Sequence, residues 1–202
     1  MDEERVVERA IAGSREAFDE LVSRHRGQIY ALIRTLTGDD PDADDLTQET
    51  FVRAYNAIAR FRQESAFRTW LSRIAVNVVR THRTRQRRRR HAFTVDLAAE
   101  SDQALDAALV VRGDFDTTLS RRQAIVRALA MLPEDWRVAL TLRDVQGFEY
   151  HEIAAILRVP IGTIESRVFR ARRRLRPLLR QWLHRPAHEE QTPLASCAKV
   201  NR

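Results

Sequence analysis

The stretch from Tyr150 to Leu175, YHEIAAILRVPIGTIESRVFRARRRL, constrains this chain more than any other. Ile153, Ala154, Ile156 and Leu157 give a first apolar helical face, and Arg158-Val159-Pro160-Ile161-Gly162 interrupts it with the proline and glycine that a turn uses. In the second pattern Ile164, Val168, Ala171 and Leu175 recur at i, i+4, i+7 and i+11. That spacing predicts a buried stripe with Glu165, Ser166, Arg167, Phe169, Arg170, Arg173 and Arg174 largely off it. Two short helices meeting at such a turn read as a helix-turn-helix, whose second helix can lie in a DNA major groove. A basic amphipathic helix on a small bundle is the plainer reading of the same residues.

The charge distribution sharpens the choice. The 202 residues carry a net charge of +7, but residues 1–58 sum to −6, 59–91 to +10, 92–118 to −5 and 119–202 to +8. Two basic blocks parted by an acidic one predict two nucleic-acid contacts on one chain, and the acidic N-terminal block calls for a different partner. With 44% hydrophobic residues the chain can bury two small cores. The acidic, amphipathic start MDEERVVERAIAG has no signal-peptide pattern and no apolar run reaches the ~18 residues of a membrane span, so a cytoplasmic protein without membrane insertion is expected. The single cysteine, Cys197, excludes a disulfide framework or cysteine-rich zinc site, and no metal or cofactor is expected.

Periodicity predicts an all-α fold of two small helical domains. Helical patterns run from about Glu3 to Ala12, Ser14 to Thr37, Asp42 to Ala59 and Ala66 to Arg89, then from Leu119 to Met131, Glu134 to Val145, Tyr150 to Leu157 and Ile161 to Leu183. The expected organisation is a first domain over 1–91, a flexible acidic linker over 92–118, a second domain over 119–183 and a disordered tail over 184–202. A short helix near Asp102 to Val111 is the competing reading of the linker.

Two further surfaces stand out. Projected at 100° per residue, Asp42 to Phe61 places Thr47, Phe51, Ala54 and Ile58 on one side and Asp45, Gln48, Glu49 and Val52 on the other. The second side is either simply solvated or the contact for a basic protein partner. From Phe61 to Arg90, aromatics Phe61, Phe67 and Trp70 alternate with Arg62, Arg68, Arg73, Arg80 and Arg83, a pairing that suits stacking on unpaired bases and tracking of phosphates. Phe67 and Trp70 also read as helix core, whereas Phe61, in a polar loop, is harder to place there.

Taken in order, FDELVSRHRGQIYALI, DADDLTQETFVRAY, SAFRTWLSRIAVNVVR, LPEDWRVALTLRDVQGFEYHEIAAIL and GTIESRVFRARRRL make the body of the chain resemble an extracytoplasmic-function (ECF) sigma factor of the sigma-70 family, with its region 2 and region 4. The resemblance implies a transcription initiation factor that directs core RNA polymerase to promoter DNA. It implies that Asp45, Gln48 and Glu49 meet the β′ clamp and that region 4 meets the β flap. It places Phe61, Arg62, Ser65 and Phe67 at the loop that captures a flipped minus-ten base, and Arg73, Asn77 and Arg80 on the melted non-template strand. Glu165, Ser166, Phe169 and Arg170 fall at the minus-35 element, with Arg167 and Arg173 nearer phosphates. An anti-sigma partner is implied as well.

A stand-alone helix-turn-helix repressor or activator is the rival expectation; it explains Tyr150 to Leu175 and leaves the other two surfaces without a task. No phosphate loop, metal-ligand cluster or nucleophile-base spacing supports an enzyme. Glu165, acidic within an arginine-rich helix, cannot pair with a phosphate and is expected to accept from a cytosine amino group or to orient a neighbouring arginine.

Overall fold

A computed structural model describes residues 2–38, 41–94 and 125–183. The expected linker, apart from its first three residues, and the tail at 184–202 lie outside these. The described residues are helical, without strands.

The first bundle begins with α1 (Glu3–Ile11), α2 (Arg15–Thr37) and α3 (Ala43–Ala57), followed by a 3-10 turn over Ile58–Arg60 and the long α4 (Phe67–Thr94). Its boundaries have local causes. Gly13 turns the chain at φ 97°, and Ser14 caps α2 by accepting from the Ala17 N–H at 3.2 Å. Gly38 ends α2 in the left-handed region and donates its N–H to the Arg34 carbonyl at 3.0 Å. Asp44 and Asp45 in the first turn of α3 complement the helix dipole. The heptad-like run Phe18, Leu21, His25, Ile29, Leu32, Ile33 and Leu36 on α2 is buried and forms the centre on which α1, α3 and α4 pack.

The second bundle comprises a helical segment over 125–130, α5 (Glu134–Leu140), a π-helical turn over Thr141–Val145, α6 (Tyr150–Leu157) and α7 (Ile161–Leu183). Its core gathers Leu140, Leu142, Phe148, Ile153 and Ile164, all fully buried. The Glu149 N–H donates to the Glu152 carboxylate at 2.8 Å and starts α6. The turn between α6 and α7 falls within the expected Arg158 to Gly162. Arg158, not a glycine, takes the left-handed conformation at φ 55° and caps α6 on the Ala154 carbonyl, while Gly162 lies inside the first turn of α7. Pro160 performs as expected: its carbonyl accepts from Thr163 and Ile164, and its missing N–H costs nothing at that position.

The two bundles pack against each other. α6 lies on α4, and a Cβ placed on Gly38 would sit 3.6 Å from the Ala130 Cβ. Among the described residues no helix is long and apolar enough to cross a membrane, and no group of three or more His, Cys, Asp or Glu is arranged to hold a metal.

Candidate nucleic-acid and protein interface

On α3 the predicted core face is buried: Thr47, Phe51, Ala54 and Ile58 all turn inward. The hydroxyls of Thr47 and Thr50 donate to the carbonyls four residues back, each at 2.8 Å, which satisfies them without a partner from another helix. Asp45 and Gln48 are exposed, and Glu49 is half-buried in an i, i+4 ion pair with Arg53. The outward face is less polar than its charges suggest. Val52 is 59% and Tyr55 50% exposed, so an acidic row at the start of α3 runs into an apolar strip at its end. Tyr55, which the helical projection did not single out, is reached through its edge-on contact with Phe18 at 5.1 Å.

The loop between the 3-10 turn and α4 gathers the aromatics into one cluster. The ring of Phe61 lies 4.9 Å from Trp70 and 6.1 Å from Phe67, and Phe67 lies 5.6 Å from Trp70. Phe61 is buried, contrary to the reading that found it hard to assign to a core. Its backbone N–H is fixed on the Ile58 carbonyl at 2.9 Å, which points the ring inward before the chain emerges as Arg62, Gln63 and Glu64. Gln63 adopts φ 55°, and Arg62 and Glu64 are both strongly exposed with a 3.9 Å ion contact between them. Ser65 is half-buried beside them. The cluster is thus a floor beneath a polar rim.

Along α4, Asn77 is exposed, but Arg73 and Arg80 are engaged. Arg73 donates to the Ala155 carbonyl on α6, and partial burial together with the nearby Arg158 guanidinium holds its pKa below the ordinary arginine value. Arg80 reaches Asp135 of α5 at 3.3 Å. Neither contact follows from the helical pattern of α4 alone.

On α7 the stripe Ile164, Val168 and Ala171 is buried and Leu175 partly so. Glu165, Arg170 and Arg173 are exposed, and Phe169 is 67% exposed, an unusual state for a phenylalanine on a helix with a well-filled core side. The Ser166 hydroxyl donates to the Thr163 carbonyl at 2.9 Å. Arg167 pairs with Asp135 at 2.8 Å. Arg172 grips both carboxylate oxygens of Asp144, at 3.0 and 2.6 Å, and that bond raises its pKa further. The π-helical turn that carries Asp144 is itself braced by Arg143, which donates to the Phe148 carbonyl, pairs with Glu149 at 2.9 Å and lies 4.7 Å from the centre of the Tyr150 ring. No periodicity in the sequence announces that clamp.

Residues 21–89 match the family model for Sigma-70 region 2, and residues 122–175 match that for Sigma-70, region 4. The ECF RNA polymerase sigma-E factor of Escherichia coli (strain K12) is 40% identical over 185 residues, spanning 87% of this chain and 95% of that protein. The chain belongs to the ECF RNA polymerase sigma factors. The RNA polymerase sigma-H factor of Pseudomonas aeruginosa is 36% identical over 193 residues, covering 89% of this sigma factor and 96% of the relative. Among solved structures, CnrH in complex with the cytosolic domain of CnrY superposes with a TM-score of 0.66 at 27% identity, over 89% of this chain and 99% of that one. The sigma factor RpoE in complex with the anti-sigma factor NepR from Bartonella quintana gives a TM-score of 0.60 at 31% identity, over 81% and 96%. A sigma factor directs RNA polymerase to promoters, so the match across both bundles disfavours the stand-alone repressor, which needs only the second. The aromatic floor and α4 as far as Arg89 fall in region 2 of this factor, and α7 as far as Leu175 in region 4.

Proposed function

We propose that the three surfaces divide promoter initiation among them. Asp45, Gln48 and Glu49, continued by Val52 and Tyr55, meet the β′ clamp of core polymerase. The acidic row supplies complementarity to a basic partner, and the apolar strip supplies an area that gains from leaving water. Residues 61–67 and α4 hold the melted minus-ten element: the aromatic floor sets the shape of the rim, and Arg62, Ser65, Arg73, Asn77 and Arg80 meet base edges and phosphates. α7 reads minus-35 duplex through Glu165, Ser166, Phe169 and Arg170, with Arg167 and Arg173 on the backbone, and region 4 also meets the β flap.

The observation that carries this reading is the outward row of α7. Phe169, at 67% exposure, stands beside exposed Glu165, Arg170 and Arg173, opposite a filled core stripe. A large apolar ring kept in water on a basic helix suits contact with a thymine methyl, and a guanidinium beside it suits guanine. Unstacking a minus-ten base costs a few kcal/mol, which the pocket and stacking must offset, because binding alone drives the opening. The protein is not an enzyme and works in the cytoplasm, where polymerase and promoters are. An anti-sigma protein controls it, as the complex of RpoE with the anti-sigma factor NepR suggests for a structure of this shape.

The test is reconstitution. Purified protein added to core polymerase should yield promoter-specific run-off RNA from a promoter selected out of a random library. A stand-alone repressor would give none.

A further inference from the structure

His25 of α2 lies against the aromatic floor of the 61–67 loop. Its ring centroid is 5.2 Å from that of Phe67, which in turn stands 6.1 Å from Phe61 and 5.6 Å from Trp70. The imidazole is buried, and its Nε2 makes no hydrogen bond among the described residues. A Glu3 carboxylate oxygen stands 3.5 Å from that nitrogen. An apolar side chain would fill the same space without leaving a polar atom unsatisfied, so packing alone does not account for a histidine here. α1, which carries Glu3, precedes the segment matched to region 2. It buries Val6, Val7 and Ala10 and packs on α2 and on the 3-10 turn, whose Ile58 carbonyl holds the Phe61 N–H at 2.9 Å. Two rings of the floor, Phe61 and Phe67, are therefore set by elements that α1 touches.

We propose that His25 is a positioning residue for capture of the minus-ten base: the neutral imidazole props Phe67, and with it the floor of the loop, while α1 keeps the imidazole in place. The inference rests on the assignment of residues 61–67 to the melted minus-ten element. The charged groups that face the ring are Glu3 from α1, Arg68 from α4 and Arg24 of α2 itself. A proton on the ring puts a cation near two guanidiniums in a site largely closed to water. Burial outweighs the pull of Glu3 there, which keeps the pKa below its ordinary value. The Glu3 side chain is 44% exposed, whereas Phe67 is buried. A protonated ring thus gains water and its counter-ion only by moving toward Glu3 and away from Phe67, which removes the prop and loosens the floor. Minus-35 reading by α7 uses none of these residues. Acid therefore weakens promoter opening and spares minus-35 binding.

The experiment uses the full chain assembled with core polymerase, and follows opening by the fluorescence of a base analogue in the minus-ten element between about pH 8 and about pH 5.5. Across that range the parent should lose about twofold or more of its opening relative to His25→Phe, which keeps a ring on Phe67 and cannot titrate. Taking the ratio removes the polymerase's own response to pH. His25→Ala should lose at least about threefold at both ends of the range, and His25→Phe should recover it. Glu3→Gln should move the parent's acid loss to lower pH, because the carboxylate that favours the proton is gone. Parallel pH profiles for the parent and His25→Phe, or full opening by His25→Ala, overturn the proposal. Fluorine NMR of the free chain labelled with fluorotryptophan, the Trp70 signal assigned through Trp70→Phe, reads the floor without DNA. A Trp70 signal that shifts with pH in the parent and stays fixed in His25→Phe supports the prop, and a signal that behaves alike in both overturns it. Arg62→Ala separates the two claims. Undiminished opening by that variant at the alkaline end sinks the assignment of the loop to minus-ten DNA, and the fluorine signal still decides whether His25 sets the floor.

Discussion

Arg68 lays its guanidinium 4.0 Å from the centroid of the Phe148 ring while donating to the Gln146 carbonyl. One side chain of the first bundle thereby covers a fully buried aromatic of the second and satisfies a carbonyl just past the π-helical turn. A cation over a desolvated ring contributes about 2 kcal/mol and a charged hydrogen bond about 1.5 to 3 kcal/mol, part of which water replaces when the contact is lost.

Arg68→Ala should therefore weaken docking between the bundles by about 2 kcal/mol while leaving each bundle folded. Differential scanning calorimetry is the check: one cooperative transition in the parent should divide into two in the variant. A single unchanged transition would show that Arg68 does not couple them.

Neighbouring positions on α7 should separate stability from recognition. Ile164 is fully buried, and Ile164→Ala should cost about 2 to 5 kcal/mol in urea unfolding of the second bundle. Phe169→Ala, on the exposed side, should change stability by less than about 0.5 kcal/mol but weaken minus-35 binding about tenfold, measured by anisotropy on a labelled duplex. Equal loss of stability at both positions would place Phe169 in the core.

On α3, Asp45→Lys and Val52→Asp each alter an exposed side chain. Both should lower affinity for core polymerase about tenfold, equivalent to ~1.4 kcal/mol, with melting temperature unchanged. Competition against the unmodified factor in holoenzyme assembly would measure it, and undiminished competition by both variants would remove this face from the interface.

His25 gives the fold a pH dependence. It is buried beside Phe67, with ring centroids 5.2 Å apart, and burial holds its pKa below the ordinary 6.5 against the opposing pull of the Glu3 carboxylate at 3.5 Å. Between the folded and unfolded values the unfolded chain binds a proton that the native state refuses. Its contribution to stability is thus complete above about pH 6.5 and is lost as pH falls below it, with a slope of at most ~1.4 kcal/mol per pH unit. Urea midpoints should fall between about pH 7 and pH 5 in the parent, and the fall should be shallower in His25→Gln. Parallel curves would assign the pH dependence to other groups.

Most helix boundaries and both core faces were legible in the sequence because they follow from local rules. Ser14, Gly38 and Pro160 act on their own turns, and the stripes of α3 and α7 need only the 3.6-residue period. Phe61 was misjudged because a lone aromatic in a polar loop has no period to show which way it points; its direction comes from the 3-10 turn before it. Arg158 takes the left-handed position of the turn, a role that neither periodicity nor the proline and glycine of Arg158 to Gly162 assigns to it. The pairing of Arg80 with Asp135, 55 residues apart, had no local signature at all. Charge totals indicated that basic and acidic segments coexist, but which arginine meets which carboxylate is decided only when helices pack.

The clamp of Arg172 on Asp144 has a consequence in the thermodynamics of binding. An arginine already neutralised by a bidentate carboxylate recruits no phosphate and displaces no condensed cation from the duplex. The salt dependence of minus-35 binding should count fewer ions than α7 has arginines, and the missing charge is spent on fixing the rotation of the helix about its own axis.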